Sequence, residues 1–199
     1  MTIVINFSHE MHLSLFVKIV TIKAKHYHQI HQRKDAMQPD PKVIQAMQAI
    51  PWFRDMEPAM FDKLAQIADL VELEKGEQLF NEGGKEDLIY IVLNGRIALE
   101  IFVPVRGRVR IETAEPLDLV GWSSVTPVVR QRTAGAKAVL DSKLLSVDAE
   151  KLRALCDADH DLGYHVMRRI ANIIASRLMV TRLQLLDIFA NPPEASHVE

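Results

Sequence analysis

Leu73-Glu74-Lys75-Gly76-Glu77-Gln78-Leu79-Phe80-Asn81-Glu82-Gly83, followed by Leu88-Ile89-Tyr90-Ile91-Val92-Leu93-Asn94-Gly95-Arg96-Ile97, is the stretch that decides the fold class. Glycines and acidic residues punctuate it, and between them run short segments rich in Ile, Val, Leu and Tyr, the composition of packed strands. Asn94-Gly95, set between two such runs, is a hairpin signal because both residues tolerate the positive φ of a tight turn. The next run, Ile97-Ala98-Leu99-Glu100-Ile101-Phe102-Val103, continues the pattern. Working outward, Gly76, Gly83-Gly84, Gly95, Gly107 and Gly121 recur roughly every dozen residues. The chain from Val71 to Val147 therefore reads as a sandwich or barrel of short strands.

Helices flank it. Val43, Ile44, Met47 and Ile50 recur at helical spacing, and Pro51 is expected to end that helix. Glu57-Pro58 opens another, with Met60, Phe61, Leu64, Ile67 and Ala68 on one face and an end expected near Leu70. Trp52 and Phe53 read as packing anchors. Beyond Asp148 a short helical segment, 149–156, precedes a long one beginning near Asp159. One apolar stripe of that long helix carries Leu162, Val166, Ile170 and Ile173. A second carries Met167, Ala171, Ile174, Leu178, Thr181, Leu185 and Ile188 at the 3.5-residue spacing of a coiled-coil seam. Two faces need two partners: either one docks on the barrel and the other on a second copy, or both serve one monomer core.

The chain divides into an N-terminal extension (1–36), a domain of helices and strands (37–150), C-terminal helices expected to dimerise (151–189) and a tail (190–199). The extension is either a loosely ordered arm or lies ahead of a true start at Met37. Its apolar patches are broken by His9, Glu10, His12, Lys18, Lys23 and Lys25, so no membrane span is expected there. His26, His28 and His31 have no thiol or carboxylate partner nearby and match no closed metal site.

The 199 residues carry 24 Lys and Arg against 26 Asp and Glu, a net charge of −2, which lacks the basic footprint of a nucleic-acid binder. A single cysteine, Cys156, permits no internal disulfide and points to a reducing, cytoplasmic setting. Residues 71–147 contain no histidine and no cysteine, which leaves a barrel metal site without its usual ligands. No nucleophile–base constellation stands at a convincing spacing, so an enzyme is not expected. Arg106, Arg108 and Arg110 alternate and share one strand face, either a solvated surface or a docking patch for an acidic partner.

Residues 71–150 resemble the cyclic-nucleotide-binding domain of the catabolite-regulator and protein-kinase-A regulatory-subunit superfamily, and with the flanking helices the likeness spans roughly 41–189. It implies a mainly β fold: an eight-stranded jelly-roll barrel, the cupin-like double-stranded β-helix, with N-terminal helices and a long C-terminal helix. It also implies a cassette that begins Gly-Glu, forms a short helix facing the cyclic phosphate, and ends in an arginine followed by a small residue. Here the cassette is Gly121-Trp122-Ser123-Ser124-Val125-Thr126-Pro127-Val128-Val129-Arg130-Gln131-Arg132-Thr133-Ala134. The resemblance makes Arg132 the phosphate ligand, with the Thr133 hydroxyl and the Ser123 and Ser124 amides beside it. Arg130 is the alternative arginine, and a bracing role is the alternative for Arg132.

Trp122 stands where the family has glutamate. An indole has one donor and no acceptor, so it cannot take the ribose hydroxyl as a carboxylate does. It is expected either to fill the ribose space or to stack on a different anion. Arg177-Leu178-Met179-Val180-Thr181 is similar to the stretch of bacterial cAMP receptors whose threonine reaches adenine, which would give Thr181 that part. The expected function is a stand-alone ligand-sensing module, with cAMP or cGMP as candidate ligand, no other cofactor, a homodimeric state and a separate protein as its output. The alternative is a degenerate domain kept as a dimerisation or scaffold module. A helix-turn-helix reader would need a further domain beyond the long helix, so direct DNA binding is not expected.

Overall fold

The structure, a computed structural model, describes residues 38–190 except 86, 127, 128 and 130. The expectations for 1–36, the His26, His28 and His31 cluster included, for Arg130 and for 191–199 lie outside the described residues. Three short helices open the described part: α1 (Pro41–Ala49), α2 (Pro51–Arg54) and α3 (Pro58–Ala65). Each starts on a proline, whose fixed φ and missing N–H suit the first helical turn. Asp40 caps α1 by accepting a hydrogen bond from the Lys42 amide at 2.8 Å. Pro51 thus does two jobs: it closes α1, as expected, and opens a further turn that the periodicity did not reveal.

Eight strands follow: β1 (Ala68–Leu73), β2 (Gln78–Phe80), β3 (Leu88–Asn94), β4 (Ile97–Val103), β5 (Gly107–Ala114), β6 (Leu119–Val120), β7 (Gly135–Ala138) and β8 (Ser142–Asp148). They form two four-stranded antiparallel sheets, ordered β1-β8-β3-β6 and β2-β7-β4-β5, the strand order of a jelly roll. The second expected helix stops at Ala65, short of Leu70. The reason is pairing: Ala68 to Leu73 lie in register with Val147 to Ser142, and the ladder claims those residues.

Two helices complete the domain, α4 (Ala149–Ala158) and α5 (His160–Ala190). Asp159 between them accepts from the Leu162 amide at 3.1 Å and from Lys63 Nζ at 2.5 Å, capping α5 and tying it to α3. Both bonds hold the half-buried Asp159 carboxyl below the usual aspartate range, the lysine contact most strongly. Gly163 lets α5 approach α4 closely, since a Cβ there would stand 2.8 Å from the Cys156 carbonyl. Burial, and then the charges of Asp157 and Asp159, push the half-buried Cys156 thiol up, which keeps it protonated near neutral pH.

Apolar side chains collect in two cores. The helix-side core lies between the helices and the first sheet and takes in Met47, Ile50, Phe53, Leu64, Ile91, Leu145, Leu152, Leu162, Val166 and Ile170. The second core fills the interior of the roll with Val71, Phe80, Tyr90, Val92, Ile97, Leu99, Leu144 and a group of alanines. The first stripe of α5 is accounted for by the helix-side core. Past it the helix carries its apolar residues outward: Leu178, Leu183, Leu185 and Leu186 are all more than half exposed. Among the described residues no helix is long and apolar enough to cross a membrane.

Candidate functional site

The cassette leaves β6 at Val120 and turns sharply at Gly121, whose φ of 82° lies in the left-handed region. A single 3-10 turn, Trp122–Ser124, follows, closed by the Ser124 amide on the Gly121 carbonyl (3.2 Å) and the Val125 amide on the Trp122 carbonyl (3.0 Å). The Thr126 hydroxyl donates to the Ser123 carbonyl at 3.1 Å, and Ser123 is buried. From α4, Arg153 Nη1 donates to the Ser124 carbonyl and lies 3.5 Å from Asp87 Oδ1. The turn is therefore gripped at its far end by a helix arginine.

Its near end is gripped by Arg132. This residue is only 3% exposed. Its Nη1 donates to the Gly121 carbonyl at 2.8 Å and its Nη2 to the Leu88 carbonyl on β3 at 2.5 Å. The guanidinium carbon sits 4.2 Å from the centroid of the Phe80 ring, a cation–π distance, and Phe80 stacks in turn on Tyr90 at 6.1 Å. The Arg132 main chain is fixed as well: its amide donates to the Gly84 carbonyl at 2.9 Å, and its carbonyl accepts from Gly83 at 2.8 Å. Gly121 is required twice over, because a Cβ there would collide with the guanidinium as well as strain the turn.

The seven residues singled out from the sequence divide. Gly121 and Arg132 come together by direct hydrogen bonding, with Ser123 and Ser124 in the turn that Gly121 opens. Thr133 follows Arg132 but is exposed. The half-buried ring of Trp122 packs against the helix-side core. Burial among apolar side chains suits an indole, and this burial turns Trp122 and the Arg132 guanidinium toward different cores. Thr181 is exposed, and its hydroxyl donates to the Arg177 carbonyl of its own helix at 2.9 Å. One turn earlier, Arg177 does reach the cassette strand: Nη2 donates to the Leu119 carbonyl at 2.7 Å and Nε lies 3.2 Å from Glu112 Oε1.

Arg153, Arg177 and Phe80 were missed as site residues. The only available signal was that two of them are arginines on helices flanking the cassette, and arginines on solvated helix faces are common. Among the described residues no group of three or more His, Cys, Asp or Glu side chains is placed to hold a metal ion.

The site is thus a jelly roll whose late crossover folds back as a short turn onto a buried arginine. Residues 70–159 match the family model of the cyclic nucleotide-binding domain. The CRP-like cAMP-activated global transcriptional regulator of Mycobacterium tuberculosis is 25% identical over 142 residues, which cover 71% of this chain and 61% of that regulator. The chain thus spans less than two thirds of the curated relative's length.

A cyclic nucleotide-binding domain from Methylobacillus flagellatus superposes with a TM-score of 0.61 at 19% identity, covering 73% of this chain and 81% of that one. The catabolite activator protein of Thermus thermophilus does so with a TM-score of 0.55 at 24% identity, covering 70% and 63%. The structural likenesses establish a shared fold. Residues 70–159 thus carry the match to the cyclic nucleotide-binding domain, and these solved structures share its fold.

Proposed function

We propose that the domain is a ligand-sensing regulatory module whose ligand is a small anion, a cyclic nucleotide or a relative of one, received by Arg132. One observation carries this reading: the Arg132 guanidinium joins the cassette to β3 through two neutral carbonyls, Gly121 and Leu88. Charge-assisted bonds to phosphate oxygens are roughly twice as strong as bonds between neutral groups, so an anion entering here competes for the fork. Releasing the Gly121 carbonyl loosens the turn, and Arg177 of α5, which holds the Leu119 carbonyl of the adjoining strand, hands the change to that helix. A ligand moves this equilibrium only through different affinity for the two arrangements.

Trp122 sets the terms of affinity. Without a carboxylate for the ribose hydroxyl, a cyclic nucleotide forfeits about 1–3 kcal/mol, or ten- to a hundredfold in binding. The exposed seam of Leu178, Thr181 and Leu185 supports a homodimer.

Titration calorimetry with cAMP and cGMP tests the reading, with Arg132→Ala and the charge-retaining Arg132→Lys in parallel. Micromolar or tighter binding that is lost in Arg132→Ala and weakened in Arg132→Lys establishes the sensor. A second reading, a scaffold domain that has given up its ligand, is favoured by the docking of Trp122 on the helix-side core. No heat and no change in melting temperature with either nucleotide, or with inorganic phosphate, would select it.

A further inference from the structure

The β4–β5 hairpin ends in a turn that its sequence does not favour. The Arg106 amide donates to the Val103 carbonyl at 3.2 Å, making Val103-Pro104-Val105-Arg106 a β-turn with Pro104 in second place. Val105, in third place, has a φ of 74°. Turns of this kind reserve that position for Gly or Asn, and a β-branched residue there is strained. Packing does not offset the strain, because Val105 is fully exposed, at 106% of its reference area. Phe102, one residue before the turn, is 64% exposed. An apolar tip is thus held out into solvent at a conformational cost.

Cations stand directly behind it. Arg106, Arg108 and Arg110 are all exposed, and none forms an ion pair with a described residue. Arg108 pairs with Phe102 across the ladder and Arg110 with Glu100, so these four share one face of the hairpin. Two carboxylates lie near: Glu100 on that face, and Glu82, which accepts a hydrogen bond from the Phe102 amide at 2.8 Å. β5 is the edge of its sheet, so nothing within the sheet covers this side.

We propose that the hairpin docks on an anionic lipid surface, with Pro104 and Val105 entering the interface and the three arginines meeting lipid phosphates. The order in depth favours this occupant. A bilayer presents hydrocarbon beyond and phosphate behind, the same sequence as an apolar tip backed by guanidinium groups. An acidic peptide added along β5 would match the arginines and leave Val105 in water. A nucleic acid would match the arginines and Phe102 and offer nothing to Pro104-Val105. A single small anchor gives weak, reversible and salt-sensitive attachment.

Flotation of the full chain with vesicles tests this, using phosphatidylcholine alone and phosphatidylcholine mixed with phosphatidylserine. Binding is expected only to the mixed vesicles, falling as sodium chloride rises, and lost in Arg106→Gln/Arg108→Gln/Arg110→Gln. Val105→Asn is expected to weaken binding several-fold while leaving the melting temperature equal or higher, since Asn tolerates the left-handed region. That opposite movement separates lost docking from lost folding. Failure to bind either vesicle, equal binding to both, or full binding by Val105→Asn would overturn the proposal. So would retention of an RNA or acidic peptide whose binding needs the arginines and ignores Val105.

Discussion

The two cores of the domain are built from different materials. The helix-side core is made of bulky neutral side chains contributed by helices and one sheet, Met47, Phe53, Leu145 and Leu162 among them. The interior of the roll sets Ala114, Ala134, Ala136 and Ala138 among its bulkier residues, and the guanidinium of Arg132 lies over Phe80 there. Side-chain volume on the first side yields stability through close packing. The second holds a charged group that hydrogen bonds must satisfy. The cassette runs between them, with Trp122 committed to the first core and Arg132 to the second. A ligand that takes hold of Arg132 therefore acts on the roll interior, while the helix-side core packs the helices against the first sheet.

Substitutions can break this contrast. Leu162→Ala, at a fully buried position of the helix-side core, is expected to destabilise by about 2–5 kcal/mol in urea unfolding, the range for a leucine cavity. A cost well below that would mean that the helix-side core does not carry the stability assigned to it. Ala136→Val enlarges a fully buried residue of the roll interior, and overpacking there is expected to cost about 1–3 kcal/mol. Through Phe80, its partner in the ladder, it should also disturb the Arg132 guanidinium, seen as weakened binding of whatever anion the site takes. If this variant were neutral in both respects, the roll interior would have spare room and the coupling of Arg132 to it through Phe80 would be wrong.

The smallest effect is electrostatic and belongs to the helix side. Asp159 has a lowered pKa because Lys63 and the Leu162 amide favour its charged form. Its stabilising contribution is therefore fully present above the ordinary carboxylate range and is lost as pH falls through the lowered folded value. Unfolding of the chain and of Asp159→Asn as a function of pH should show a modest gap near neutrality that closes in acid. A gap that persisted unchanged into acid would contradict this pairing.

Much of the architecture was legible because turns have chemical requirements. Gly76, Gly83, Gly95, Gly107 and Gly121, taken from the sequence as strand punctuation, all have positive φ. Asn94-Gly95 does join β3 to β4. Val105 and Leu117 share the positive region without being glycine, and no sequence signal marked them. The helices were legible by period, except where a proline served as a start as well as a stop, as at Pro51.

The site was legible in position and not in direction. The family resemblance put Gly121 and Arg132 at the two ends of one cassette, and hydrogen bonding joins them. It could not say that a long, flexible side chain would turn inward to the Leu88 carbonyl, or that Trp122 would turn the other way. Thr181 illustrates the same limit, because helical spacing fixes its face while its hydroxyl bonds within its own helix.

Side-chain nitrogen NMR of Arg132 addresses the inward guanidinium most directly, with exposed Arg106 as the internal reference. Slow exchange of the Arg132 Nη protons without nucleotide, and displacement of those resonances when cAMP is added, are the results predicted. Exchange as fast as that of Arg106, with no response to nucleotide, would contradict both the brace and the sensor built upon it.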